Sequence, residues 1–556
     1  MQVADEELAL QRIYRWERER TNDVFLTQPC GGGTVREWTW PQAVGEARRM
    51  ASFLKAQQWE DGSRVAILSK NCAWWLMADL AIWMAGHVSV PVYPSLKAEH
   101  VRYILEHSGA RLCFVGPADE AEAPAEGVPP GVLRIRFPVA APAETPAWDD
   151  LVRFQAPLEG YPVRSANDLA TIIYTSGTTG LPKGVMHRFG SFAFNARQLS
   201  AQLGFDKEAR ILSYLPLAHI VERAGVEGPA FYLGTHLFFT AGLDTFFDDL
   251  KRARSTLFLS VPRLLLKFQQ GVFARIPKSR FDRLMRIPGV GLLLKRRILR
   301  TLGLNTVRHA ACGAAPLAAD ILLWYRDLGL DLAEGYGMTE TMITHLPRPG
   351  QVRPGYVGAA IDGVETRVED NGELLVRSPM NMIGYYRDPE GTRAAFTDDG
   401  FFRTGDVVEM APDGQIRIIG RLKEQFKTSK GKYVAPAPIE SRLVAHPDVE
   451  GCCLMGAGYP SPFAVITVSD AARERAAVPA ARAALDASLA ALLEEVNSTL
   501  DPHERVSMIV IAKGPWSIGN GLLTPTLKLR RGVVERLYQP FLDTWKAQGR
   551  PVVWEE

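Results

Sequence analysis

The chain has 556 residues, 47% hydrophobic and 23% charged, a soluble globular balance in a polypeptide too long for one compact core. Lys and Arg number 64 against 62 Asp and Glu, and the net charge of +2 gives no reason to expect nucleic acid as a partner. The six cysteines show no C-x-x-C spacing, which argues against a disulfide framework or a zinc site and for a reduced, cytoplasmic setting.

The first segment, MQVADEELALQRIYRWERER, is densely charged and lacks the apolar core of a signal peptide. Strand-like runs at 64–68, 88–92 and 111–115 then alternate with helical patterns, which predicts a layered α/β architecture. Between them, 73–85 is the most membrane-like run. It is short and carries Asp79 in its middle, so it predicts a buried helix and no membrane span. Residues 117–147, rich in Ala, Pro and Glu, read as a surface loop or a poorly ordered insertion. After Gly420 the pattern changes, and a boundary there predicts two domains, 1–421 and a smaller 422–556.

The most informative stretch is Thr175-Ser-Gly-Thr-Thr-Gly180-Leu-Pro-Lys183-Gly184, directly after an apolar strand. Glycines, hydroxyls and one lysine suit a backbone wrapped around phosphate oxygens, and equally suit an ordinary turn. The Walker pattern fails, because Pro182 precedes Lys183 and Gly184 follows it. No G-x-G-x-x-G is present either, since Gly289-Val-Gly291 meets Leu294 where the third glycine belongs.

The loop resembles the phosphate-binding signature of the adenylate-forming superfamily, and further stretches match in the family's order. Glu334-Gly-Tyr336-Gly-Met-Thr339-Glu340-Thr341 resembles its adenine and magnesium segment; Cys312-Gly313-Ala314-Ala-Pro-Leu317 its adenine-pocket strand end; Arg403-Thr-Gly-Asp406 its ribose segment. Gly420-Arg421-Leu-Lys423 and Lys430-Gly431 resemble the hinge and the start of a mobile domain, and 523–531 the last motif in its long-chain version. The resemblance implies a large multi-layer α/β domain of helix-flanked sheets with a small β-barrel, followed by a mobile α+β domain. It implies ATP, CoA and Mg²⁺ as cosubstrates and cofactor. By it, Thr175, Ser176, Gly177, Thr178, Thr179 and Lys183 hold phosphates; Gly313, Ala314 and Tyr336 hold adenine; Asp406 and Arg421 hold ribose. Thr339 lies near the phosphates, Glu340 carries the metal, Lys528 is the adenylation lysine, Lys423 the pivot, and Gly431 leaves room for the pantetheine arm.

Tyr214-Leu-Pro-Leu-Ala-His219-Ile-Val-Glu222-Arg223 resembles the long-chain fatty acid–CoA ligases, which implies a fatty acid as substrate and His219 as an acyl-pocket wall. A hydrogen-bonded structural histidine is the competing reading. The stretch 226–239 is apolar with several small residues, and 257–263 is a candidate tunnel lining, although an apolar strand in an α/β domain needs no ligand to explain it. Within 274–304, nine basic residues stand against Asp282 alone; such a run is more often a solvated helix face, and it is also a candidate contact with the inner face of an anionic membrane. A fatty acyl-AMP ligase serving a carrier protein is the nearest alternative, and a catalytically silent nucleotide-binding scaffold a remote one. With no carrier or reductase domain after Glu556, a multidomain carboxylic acid reductase is not expected. A homodimer is a candidate assembly, and acyl length stays open.

Overall fold

Two seven-stranded sheets organise the first 420 residues of the computed structural model, which describes residues 3–118, 124–140, 145–175, 181–242, 244–524 and 528–555. One sheet orders Gly384–Tyr385, Lys183–Arg188, Leu169–Thr175, Val88–Val92, Arg64–Leu68, Leu112–Val115 and Leu133–Arg136. Val88–Val92 is buried along its whole length, as a parallel strand covered on both faces must be. The edge strand Leu133–Arg136 falls in the stretch read from the sequence as loop. Only Ile135 of it is fully buried, so its apolar signal is one residue deep, yet it pairs in register with Leu112–Val115.

The second sheet orders Leu332–Glu334, His309–Cys312, Leu257–Ser260, Arg210–Ser213, His236–Phe239, Val24–Gly31 and Thr34–Thr39. Between the sheets runs the helix Ala73–Met84, every residue of it buried. Its Asp79 pairs with Arg223 at 2.7 Å, both side chains fully enclosed, which explains a charge inside so apolar a segment. Among the described residues no helix is long and apolar enough to cross a membrane.

The small β unit takes the form of a four-stranded antiparallel sheet, Glu365–Val368, Glu373–Arg377, Phe402–Met410 and Ile416–Arg421. Its register sets Asp406 directly opposite Arg421. From Phe426 onward the chain builds hydrophobic clusters of its own around the sheet Val449–Met455, Phe463–Val468, Ile509–Ile511 and Val552–Trp554. The helix Pro479–Asn497 starts on the proline that fixes its first turn and buries Leu485, Leu489, Leu493 and Val496, one stripe at helical spacing.

Candidate active site

The hairpin of Leu169–Thr175 and Lys183–Arg188 brackets the glycine-rich loop. Ser176, Gly177, Thr178 and Thr179 lie outside the described residues, while the register sets Thr175 opposite Lys183 across the loop's mouth. Lys183 Nζ meets Asp388 Oδ2 at 2.9 Å and stands 4.8 Å from the centre of the Tyr385 ring. That ammonium, with the Gly391 N–H that Asp388 caps, holds the Asp388 carboxyl below the usual range. The Tyr385 hydroxyl donates to Glu340 Oε1 at 3.0 Å, so the loop lysine and the metal-segment carboxylate share one network.

Glu340 sits in the turn of a second hairpin, Tyr336–Met338 with Met342–His345. Gly337 makes this hairpin fit: a Cβ there would lie 2.0 Å from the Met342 carbonyl oxygen. The Thr339 carbonyl accepts from His187 Nε2 at 2.6 Å, and burial pushes the His187 imidazole down to about 4, which keeps it neutral. Tyr336 donates its hydroxyl proton to Asp406 Oδ2 at 2.5 Å, and Arg421 Nε reaches Asp406 Oδ1 at 2.9 Å. Burial raises Asp406 above the ordinary carboxylate range and Arg421 opposes that shift. Beneath them, Gly335 N–H donates to the Cys312 carbonyl at 2.8 Å, and Gly313 lets the Gly335 carbonyl approach to 3.2 Å of where a Cβ would stand. Ala314 follows with φ +69°.

Lys528 arrives from the C-terminal part, its carbonyl accepting from Thr524 N–H at 2.7 Å and its own N–H donating to Thr524 Oγ1 at 3.0 Å. The residue as a whole is exposed, while its ammonium is surrounded by protein. Surrounding protein and Arg421 pull its pKa down; Asp406, Glu340 and Glu424 act in the other direction. Lys528 is also felt by His219, which burial first and the lysine second push down to about 3. His219 is therefore neutral, with Nδ1 accepting from Val221 N–H at 3.1 Å as the cap of a short helix. Gly431 lies apart, at φ +78° in the turn between Phe426–Lys427 and Tyr433–Val434. A Cβ there would come within 4 Å of Lys427 Cε alone.

Behind Tyr336 opens a narrow apolar cleft of about 50 Å³. Gly313, Ala314 and Tyr336 border one part of it, and Leu199, Leu203 and Phe205 another. Leu257 and Leu259 line it as the sequence suggested. The stretch 226–239 does not; only the preceding Gly225 does, in a π-helical turn Arg223–Glu227. A Cβ on Gly225 would come within 2.7 Å of Leu259 Cδ2. His219 stays out of the lining, whereas Ile220 and Val221 belong to it. Sequence reasoning missed Leu199 and Leu203, whose four-residue spacing reads as ordinary helix core, and it missed Tyr385 and Asp388. Chemically the arrangement pairs Lys183 with Asp388 and Arg421 with Asp406, and sets Lys528 within electrostatic reach of Arg421, Asp406 and Glu340, a setting able to bring anionic groups together.

The family described as AMP-binding enzyme matches residues 13–386, and the AMP-binding enzyme C-terminal domain matches 423–543. Long-chain-fatty-acid–CoA ligase FadD15 of Mycobacterium bovis is 31% identical over 575 residues, covering 93% of this chain and 94% of its own length. The peroxisomal long chain acyl-CoA synthetase 7 of Arabidopsis thaliana is 29% identical, with 93% and 83% covered. In fold, the adenylation domain of a carboxylate reductase from Mycobacterium chelonae superposes with a TM-score of 0.80 at 23% identity, covering 97% of this chain and 91% of that one. The chain belongs to the AMP-binding, adenylate-forming enzymes, in the family of the long-chain fatty acid–CoA ligases, and is an AMP-forming acid–thiol ligase.

Proposed function

We propose that the protein activates a long-chain fatty acid with ATP to an acyl-adenylate and pyrophosphate, then passes the acyl group to the thiol of CoA and releases AMP. The observation that supports this reading is the hydrogen bond of Tyr336, which lines the apolar cleft, to the Asp406–Arg421 pair, with Lys528 near enough for the charges of Arg421, Asp406 and Glu340 to act on it. A fatty carboxylate attacking the α-phosphorus is an anion approaching an anion, so the protein's main work is alignment and charge neutralisation. Lys528 bridges carboxylate and α-phosphate. Lys183, released from Asp388, joins Thr175 and the loop on the outer phosphates. Tyr336 faces the adenine, and Asp406 with Arg421 takes the ribose hydroxyls. His219, held neutral, adds no charge beside the acyl carboxylate.

Among the described residues no group of three or more His, Cys, Asp or Glu forms a protein-only metal site. One carboxylate, Glu340, fits Mg²⁺ that reaches the protein on phosphate oxygens, the usual mode for this ion, and the ion would neutralise phosphate charge. For the second half-reaction, domain 422–556 turns about Lys423, withdraws Lys528 and brings the Gly431 turn to the acyl carbon. The thiolate sulfur then forms the new C–S bond as the C–O bond to AMP breaks.

The acceptor separates this reading from a fatty acyl-AMP ligase. Acyl-AMP is formed on the enzyme and offered CoA or an acyl carrier protein in turn; thioester with CoA supports the proposal, and transfer to the carrier alone replaces it.

The segment 274–304 adds a surface that fits an anionic bilayer. Ile287, Val290, Leu292 and Leu293 are exposed among exposed Arg275, Arg280, Arg283, Arg286, Arg296, Arg297 and Arg300. Sedimentation with anionic liposomes is expected to carry the wild type down and to leave a charge-reversed variant in solution; equal sedimentation of both contradicts this surface.

A further inference from the structure

Residues 382–388 strap together the two hairpins that carry Lys183 and Glu340. Met382 N–H donates to the Glu340 carbonyl at 2.7 Å, Ile383 N–H to the Met186 carbonyl at 2.9 Å, and Tyr386 N–H to the Gly184 carbonyl at 2.7 Å. At the end of this strap Asp388 caps the helix Pro389–Ala395, its Oδ1 accepting from Gly391 N–H at 2.7 Å. The other oxygen, Oδ2, accepts from Lys183 Nζ at 2.9 Å. Gly391 leaves room for this carboxylate, since a Cβ there would lie 2.2 Å from Oδ2. Thr392 closes the strap: its Oγ1 accepts from Tyr385 N–H at 2.8 Å and donates to the Asp388 carbonyl at 2.8 Å. The two partners of the ion pair are thus unequal. Asp388 is fixed by its cap and by the backbone around it. Lys183 is a point charge on a flexible four-carbon stem, its side chain 44% exposed.

We propose that Asp388 is a built-in competitor for the anion that Lys183 holds, a positioning residue that sets the affinity for ATP and for the pyrophosphate that leaves. The inference rests on the acid-activating reading above, in which Lys183 serves the outer phosphates, and deepens it. A phosphate on the same ammonium brings its oxygens against the Asp388 carboxylate, and like charges at that range repel. The mobile lysine therefore goes to the phosphate, and Asp388 stays with its cap. An ion pair this exposed is worth little, so the more highly charged phosphate wins the exchange. Its affinity is nevertheless lowered by what the broken pair was worth. Once pyrophosphate has formed, Asp388 stands in place to take the lysine back, which eases the product's departure.

The test is the Kd of ATP and, separately, of pyrophosphate, each with Mg²⁺ and without any acid, measured by titration calorimetry. The proteins are the wild type, Asp388→Asn, Asp388→Ser, Lys183→Met and the double variant Lys183→Met/Asp388→Asn. Asn and Ser cap a helix as Asp does, so both Asp388 variants are expected to keep the wild-type melting temperature, and either one, folded, decides the matter. Each is expected to bind both ligands about two- to fivefold more tightly than the wild type, the worth of one exposed ion pair. Lys183→Met binds both more weakly, and on that background the gain from Asp388→Asn disappears, because no lysine is left to compete for. Unchanged or weaker binding in the Asp388 variants contradicts the competitor while the acid-activating reading stands. The same tightening with and without Lys183 also contradicts it, since the effect then belongs to the carboxylate's field and not to an exchange of partners. If the wild type binds neither ligand, the acid-activating reading falls and takes this inference with it.

Discussion

Ala314 holds φ +69° at the end of the strand His309–Cys312, a left-handed conformation that costs a residue with a Cβ about 1–2 kcal/mol. Glycine removes that cost and returns about 0.4–1 kcal/mol through its freer unfolded chain. Ala314→Gly is therefore expected to stabilise the protein by up to about 1 kcal/mol in denaturant titration; a loss of stability contradicts the strained reading. Glu222 gives a pH-dependent case. Burial pushes its carboxyl from 4.5 up to about 8, against the hydrogen bond from Ser213 Oγ at 2.7 Å. Below the unfolded value both states are protonated and the contribution to stability is complete. Between 4.5 and about 8 only the unfolded chain releases the proton, so stability declines by at most about 1.4 kcal/mol per pH unit. Glu222→Gln should flatten the stability profile between pH 5 and 8; an unchanged slope would show that Glu222 is not the group responsible. At this scale the sequence was most legible where polar residues share one contiguous motif, as Tyr336, Thr339 and Glu340 do. It was silent on partners such as Asp388, which meets Lys183 only because Gly384–Tyr385 pairs with Lys183–Arg188.

The hairpin Tyr336–Met338 with Met342–His345 is the element on which the groups proposed to face the nucleotide depend, because one backbone carries Tyr336 on a strand and Thr339 and Glu340 in the turn. Gly337→Ala places a methyl 2.0 Å from the Met342 carbonyl, where backbone must move. The expected outcome is a destabilisation of about 1–3 kcal/mol together with loss of the thermal shift that ATP gives the wild type. A variant with normal melting and a normal ATP shift contradicts the role of the hairpin. Alternating strands and helices were readable from apolar runs bounded by turn residues. The cleft lining was not, because Leu199, Leu203 and Phe205 have the same apolar character whether they face a core or a ligand. Periodicity also gave no hint of the π-helical turn Arg223–Glu227. There Arg223 reaches back to Asp79 at 2.7 Å and to Glu227 at 3.1 Å, and the turn brings Gly225 to the cleft wall.

At the scale of the whole molecule, the site needs both parts of the chain: Lys183, Glu340 and Asp406 come from the first, Lys528 from the second. The change of texture after Gly420 was visible in the sequence, and beyond Phe426 the chain forms hydrophobic clusters of its own. The placement of Lys528 beside Asp406 was not readable from composition or spacing, since no local pattern links positions 406 and 528. In the proposed function the two half-reactions lean on different groups of that second part, Lys528 for adenylation and the Gly431 turn for thioester formation. The most direct measurement follows pyrophosphate from ATP and a long-chain acid, then thioester after CoA is added, in the wild type and in Lys528→Ala. The account predicts both products from the wild type, a fall of roughly 10²–10³ in the variant's pyrophosphate release, and retained thioester formation when the variant is given preformed acyl-AMP. Pyrophosphate release at the wild-type rate from Lys528→Ala, or none from the wild type with any long-chain acid, would contradict it.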